Sequence, residues 1–224
     1  DNTTYSVGNR YEFIRIKSEK EFELANGDST NDFKVTFPLF YAGIKHKINT
    51  HSSLRSYFGQ GVRFPSIAEM SASTNVHGGT YIYPNLTLKP ENGWSFESAF
   101  HYNKKINELL IDFDLAYFLM KYENMMEFSF AQWGTEYDIE HAYGLGFKTV
   151  NIGKTQIEGI ETELNASYNF NDNIKSNISI GYTYMNPISL SPDSIYAQTN
   201  NLGVVQDITF NNSSSDTTIL KYRY

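Results

Sequence analysis

Cysteine is absent from these 224 residues, so no disulfide framework braces the fold. Long hydrophobic runs are absent too. With a mean hydropathy of −0.44 and no stretch approaching the ~18–20 apolar residues a spanning helix needs, a helical membrane protein is excluded. Positive charge is in short supply, 18 Lys and Arg against 25 Asp and Glu, and the basic residues are scattered. A net charge of −7 disfavours a nucleic-acid partner, which would call for clustered cations. The chain also lacks a Gly-rich phosphate loop, a Gly-x-Ser-x-Gly elbow and a His-Glu-x-x-His helix. Its five histidines, His46, His51, His77, His101 and His141, show no i, i+2 or i, i+4 grouping of the kind that builds a metal cage. Neither an enzyme nor a cofactor is expected.

What is abundant is aromatic: 17 Tyr and 16 Phe beside only 2 Trp. They are arranged with period 2. In residues 154–186, Ile160, Leu164, Ala166, Tyr168 and Phe170 fall on one side of an extended chain, and Gly159, Glu161, Glu163, Asn165, Ser167 and Asn169 on the other. After Asn171, Asp172 and Asn173 the pattern resumes, with Ile174, Ile178, Ile180, Tyr182 and Tyr184 opposed to Lys175, Asn177, Ser179 and Thr183. Arms of this length, far beyond the ~5–6 residues common in soluble sheets, with one oily and one wet face, are what a membrane-spanning barrel requires. Strands can cross where helices cannot because closing the sheet satisfies every backbone group. Residues 107–122 read likewise: Leu109, Ile111, Phe113, Leu115, Tyr117 and Leu119 lie on the lipid side, Asp112, Asp114 and Ala116 on the lumen side. A one-residue slip would place both aspartates in hydrocarbon.

The whole chain resolves into about eight strands, near residues 5–24, 33–48, 51–61, 93–103, 107–128, 146–170, 174–186 and 217–224. Their links alternate. Residues 49–50, 104–106 and 171–173 make short polar turns; residues 25–32, 62–92, 129–145 and 187–216 make long connections. Outer-membrane barrels have short periplasmic turns and long extracellular loops, so the alternation assigns sides. The fold class predicted is all-β, an antiparallel transmembrane barrel.

Four motifs then arrive in a fixed order. They are LRSYFGQGVRFPSIAEM (residues 54–70) with YPNLTLKPE (83–91), GWSFESAF (93–100), LAYFLMKYENM (115–125) and VNIGKTQIEGIETEL (150–164). Together they resemble the barrel of TonB-dependent outer-membrane receptors. GWSFESAF is similar to that family's Tyr-Glu-x-Gly strand, with Ser98 where Gly is usual, and the last motif resembles its Asn-x-Gly…Gly-x-Glu strand. The resemblance implies a 22-stranded barrel of which these residues, 1–224, form about eight strands. It further implies a plug domain in the same protein, a TonB box and final strands outside the sequence, and residence in the outer membrane of a Gram-negative bacterium, in contact with its lipid. The start at Asp1, with no Met and no export signal, and the strand-like end at residues 219–224 fit a fragment.

By the same resemblance Glu97 and Glu161 match barrel-wall carboxylates that pair with plug arginines. Their lumen-face parity agrees, since a lone carboxylate needs a cation or water. The pairs Asp112/Asp114 and Glu161/Glu163 also fall ~6–7 Å apart on one face, as a hydrolase's acid and base would. Alternation on a wet wall produces that spacing by default. Recognition of cargo is expected in the long loops, above all residues 125–143, which combine Phe128, Phe130, Trp133, Tyr137 and Tyr143 with Glu136, Asp138 and His141. Trp133, Glu136, Tyr137 and His141 are the candidate ligand-contacting residues. Residues 187–216, rich in Ser, Asn and Asp, read as a mobile loop. The resemblance implies an active importer powered by the TonB complex, with an iron chelate such as a ferric siderophore as ligand; cobalamin, haem or glycans are alternatives. Two other classes remain: a barrel enzyme, for which no Ser, His and Asp cluster is visible, and a soluble adhesion or carbohydrate-binding module.

Overall fold

A computed structural model of the chain describes residues 2–23, 29–76, 80–135, 142–171, 174–201 and 203–212. In chain order the elements are β1 (Thr3–Glu23), β2 (Ser29–Lys47), β3 (Ser52–Arg63), α1 (Ile67–Ser71), β4 (Thr74–Asn75), β5 (Tyr81–Tyr83), β6 (Glu91–Ile106), β7 (Leu109–Glu123) and β8 (Met126–Gln132). A single 3-10 turn (Ala142–Gly144) leads into β9 (Leu145–Asn151), followed by β10 (Thr155–Asn171), β11 (Ile174–Ser189), β12 (Ile195–Asn201) and β13 (Val204–Thr209). The long strands form one antiparallel seven-stranded sheet in the order β1-β2-β3-β6-β7-β10-β11. Two smaller sheets stand at its long-loop end, β4-β5-β9-β8 and the hairpin β12-β13.

The parity expected from the sequence holds across the large sheet. Cross-strand partners Leu54↔Phe100, Phe100↔Leu115, Tyr102↔Phe113, Phe113↔Leu164 and Leu164↔Ile180 put the apolar rows of five strands on one surface. That surface is open: Tyr5 is 72% exposed, Ile178 60% and Tyr182 62%. Such a patch greatly exceeds the few hundred Å² that a soluble monomer tolerates, and its natural solvent is acyl chain.

The opposite face solves a packing problem of its own. Gly8 lies directly across from Tyr41, Gly43 from Tyr57, Gly93 from Tyr122 and Gly159 from Phe118. The Tyr41 ring at Gly8 and the Phe118 ring at Gly159 occupy the space a Cβ would fill, 2.1 Å and 2.5 Å away; the Tyr122 ring approaches to 3.0 Å at Gly93, and Tyr57 lies in ordinary contact at 3.4 Å at Gly43. Aromatic side chains on the lumen face are thereby laid flat against the wall, the cross-strand form of aromatic rescue.

Several boundaries differ from the sequence reading. The turn expected at residues 104–106 falls instead at Asn107 and Glu108, because Asn107 takes φ 54 and β6 runs on to Ile106. The strands expected over 107–128 and 146–170 each break in two. Asn124 (φ 52) and Gly153 (φ 87) adopt left-handed backbone on adjacent strands. Met125 donates to Gly153 O and Ile152 to Met125 O across this joint. The hairpin thus bends out of the large sheet as a pair, and β8 and β9 enter the smaller one. Residues 187–216, read as mobile, carry β12 and β13, paired from Ile195↔Thr209 to Asn201↔Val204. Their core was invisible to a period-2 reading because it is made with residues far away in sequence. The strand expected at 217–224 lies outside the described residues.

The most deeply buried apolar clusters sit at the loop end. One gathers Met125, Ala131, Val150, Ile152, Tyr196, Ala197 and Phe210, joining β8 and β9 to the β12-β13 hairpin. The other joins Ile16, on the lumen row of β1, to Met70, Leu88 and Met126. Met70 and Leu88, on the segments between β3 and β6, therefore bridge the lumen side of β1 and the start of β8. Helix α1 on this bridge is closed by a capping box, Ser66 Oγ accepting from Glu69 N (3.1 Å) and Glu69 from Ser66 N (2.8 Å). Burial opposes ionisation of Glu69, but the Ser66 N–H and the Arg63 guanidinium overcome it and hold the carboxyl below its ordinary pKa.

Candidate functional site: the lumen wall and the loop sheet above it

The lumen face is wet and carries a charge pattern. Arg55 on β3 and Glu97 on β6 pair across the wall (3.3 Å). Glu161 on β10 stands two strands away from Glu97 and two residues out of line with it, since Glu97 lies opposite Phe118 and Glu161 opposite Ala116. Among the described residues Glu161 has no ion-pair partner. The structure thus brings both candidate carboxylates onto one region of wall, one already facing a cation and the other open.

Register also assembles a group that sequence reading missed. His101↔Asp114 and Asn103↔Asp112 are cross-strand pairs. His101 Nδ1 lies 3.1 Å from Asp114 and its Nε2 3.9 Å from Asp112, which accepts from Asn103 Nδ2 at 2.6 Å. One donor atom from each of His101, Asp112 and Asp114 falls within 4.8 Å of the others. The histidine spacing carried no signal because the partners come from the neighbouring strand. All three are partly exposed and each already has a hydrogen-bond partner, His101 with Asp114 and Asp112 with Asn103, as groups on a hydrated wall commonly do.

Above the wall, the loop sheet is two-faced. Ser129, Ala131 and Val150 turn toward β12-β13, where the Ser129 hydroxyl donates to Tyr196 O. The other face presents Phe128 and Phe130 from β8 and Phe147 from β9, with Ile82 of β5 opposite Phe147. Phe128 and Phe147 stack at 4.9 Å with 7° between planes, and Phe130 meets Phe147 at 4.9 Å and 56°. Phe128 and Phe130 stay half exposed. Met126, on the same face of β8, belongs to the cluster reaching Ile16, so the aromatic face lies on the lumen side of the loop sheet.

Of the residues singled out for ligand contact, Trp133 is described. Its Nε1 donates to Ser129 O (3.1 Å), its ring packs on the β8-β12 cluster, and Lys148 Nζ lies 5.3 Å from the ring centre. Burial pushes the Lys148 ammonium's pKa down. Trp133 thus anchors the loop sheet from behind. Glu136, Tyr137 and His141 lie outside the described residues.

The joint between wall and loop sheet is stitched by the motif residues themselves. Asn151 donates to Asn124 O (2.7 Å) and Lys89 O (3.0 Å) and accepts from Lys89 N (2.9 Å). Asn85 Nδ2 donates to Thr149 O (2.8 Å), and Glu91 accepts from Met126 N (2.8 Å). Their order in sequence is fixed because each holds a different crossing segment at one place. A family model described as TonB dependent receptor-like, beta-barrel matches residues 1–224.

The chain belongs to the TonB-dependent receptors. These are β-barrel proteins of the Gram-negative outer membrane, and the family consists of transporters and receptors rather than enzymes. Among solved structures this receptor chain is similar to a copper transporter, OprC, with 18% identity over 83% of this chain and 27% of that one, TM-score 0.56. It is also similar to the Serratia marcescens hemophore receptor HasR, in complex with its hemophore HasA and heme, at 18% identity over 92% and 33%, TM-score 0.53. A third is the siderophore receptor PirA from Pseudomonas aeruginosa, at 13% over 69% and 30%, TM-score 0.52. The chain spans about a third or less of the structures it matches, and at these identities the likeness concerns the fold. No curated protein matches it in sequence.

Proposed function

We propose that the receptor of which this chain is part imports a ferric siderophore or a similar iron chelate with an aromatic periphery, driven by the TonB complex. The observation that supports this reading is the stack of Phe128, Phe130 and the partly buried Phe147 on the lumen side of the loop sheet, with Phe128 and Phe130 half exposed. The planar rings at the periphery of an octahedral ferric chelate gain offset or edge-on ring contacts there, each worth about 0.5–1.5 kcal/mol beyond area burial. A cobalamin, haem or glycan cargo remains the second reading; a glycan would also use aromatic faces. Transport in this scheme needs no bond chemistry, only capture above the lumen and movement of a plug domain within it.

Glu97 and Glu161 are the wall carboxylates that would hold the plug. Glu161, without a cation of its own, is the stronger anchor for a plug arginine; Glu97 would share its charge with Arg55. A charge-assisted pair of this sort is strengthened where the plug excludes water.

The test is quenching of intrinsic fluorescence in the full-length receptor by a ferric catecholate chelate, set against haem and an oligosaccharide. Phe128→Ala combined with Phe147→Ala should weaken iron-chelate binding about tenfold, the loss of roughly one good ring contact. Unchanged affinity in that variant, or tighter binding of the oligosaccharide by the parent, refutes the proposal.

A further inference from the structure

The outward rows of the wall change character at comparable distances from the short turns. On β1 the row Tyr5, Val7, Tyr11 and Phe13 continues into Arg15 and Lys17. Their partners on β2 are Lys34 and Asp32, in register as Arg15↔Lys34 and Lys17↔Asp32. On β7 the row Leu115, Tyr117 and Leu119 ends at Lys121, whose ammonium lies 5.8 Å from the Trp94 ring centre. A lone cation here would be an ordinary end to an apolar band. The β1-β2 group is different because it is organised.

Asp32 accepts two bonds from the Arg15 guanidinium, 2.8 Å from Nε and 2.7 Å from Nη2, and lies 3.3 Å from Lys34 Nζ. That carboxylate orients Arg15 and Lys34, and Lys17 is its register partner on β1, so among the described residues of this patch three cations surround one anion. Arg15 and Lys34 keep 43% and 52% of their side-chain surface exposed, and Lys17 is exposed as well. All of them stand on the row that lower down meets acyl chains.

We propose that this patch, Arg15, Lys17 and Lys34 oriented by Asp32, binds the phosphorylated headgroup of an outer-leaflet lipid. Charge complementarity selects a phosphate, and the ammonium groups and remaining guanidinium N–H donors supply its contacts. Position selects a lipid over free phosphate, since acyl chains of the same molecule would lie on Tyr11 and Phe13 directly below. Lys121 over Trp94 marks the same headgroup level farther round the wall. The inference depends on which row faces lipid and is independent of the cargo.

Binding is tested on the full-length receptor in phosphatidylcholine nanodiscs titrated with bisphosphorylated lipid A, retained lipid being counted by native mass spectrometry. Lys17→Gln with Lys34→Gln should weaken retention about thirtyfold, from the contribution expected of two cations at a lipid surface. Lys45→Gln with Lys47→Gln, the same charge change on the lumen row of β2, should leave it unaltered. Dephosphorylated lipid A should bind parent and double variant equally weakly. Heat-modifiable gel migration checks that each barrel is folded; if the double variant fails that check, the single change Lys34→Gln, expected to cost about fivefold, replaces it. The proposal is overturned if the lumen-row control loses as much, if dephosphorylated lipid A binds the parent as tightly, or if millimolar inorganic phosphate displaces the lipid.

Discussion

Replacing Gly159 by Ala inverts the usual expectation for a glycine in a strand. At an unstrained position, Gly→Ala removes conformational freedom from the unfolded chain and stabilises by about 0.4–1 kcal/mol. At Gly159 a Cβ would stand 2.1 Å from the carbonyl oxygen of Tyr184 on β11 and 2.5 Å from Cζ of Phe118 on β7. The ring can swing aside, at the loss of its flat seat on the wall. The carbonyl cannot, because it belongs to the backbone of the neighbouring strand. Overpacking of this kind costs about 1–3 kcal/mol. Gly181, on the next strand and the same wet face, is the built-in comparison: among the described residues its nearest foreign atom is Thr162 O at 3.9 Å, ordinary contact. Gly181→Ala should therefore be neutral or mildly stabilising, and the two variants should differ by about 2 kcal/mol. The assay is guanidinium unfolding of the full-length receptor in lipid, followed by the heat-modifiable gel shift. Adding Phe118→Ala to Gly159→Ala should recover only part of the loss, since the carbonyl remains. Equal midpoints for Gly159→Ala and Gly181→Ala would refute the account of the wall as glycines seated under rings.

Two further outcomes are expected. Thr155 is fully buried and its hydroxyl has no hydrogen-bond partner among the described residues, so Thr155→Val, which keeps the shape and removes the orphan, should raise the unfolding free energy by about 1 kcal/mol; a loss of stability on the same denaturant curve would show that the hydroxyl is satisfied. Asn151→Ala cuts three hydrogen bonds joining Lys89, Asn124 and β9, at about 1–3 kcal/mol. Its signature should be local, with faster amide exchange and easier proteolysis in residues 64–90 and 124–154 while the lower strands keep their protection.

The strand periodicity was legible because a wet lumen and an oily exterior impose alternation residue by residue, and Leu109, Phe113, Ile160, Ile178 and Tyr182 all fell on the face assigned. The strand breaks were half-written: Asn124 and Gly153 are residues that accept left-handed backbone, yet each lies inside a run whose alternation continues. The ligand-facing reading of Trp133 rested on residue type and loop position, and neither reveals that the indole N–H is engaged by Ser129 O behind the loop sheet. Nor did the histidine spacing foretell His101 between Asp112 and Asp114.

By itself the sequence determined which face of the strands within residues 107–122 and 154–186 meets lipid, that short and long links alternate, and which receptor family the four ordered motifs belong to, since those properties are encoded within one strand or in motif order. Tertiary structure decided what depends on register between strands: rings seated on glycines, Glu97 facing Arg55 while Glu161 stands open, and Phe147 brought from a distant segment onto Phe128 and Phe130. A period of two fixes the side on which a residue points, but only pairing fixes its neighbour.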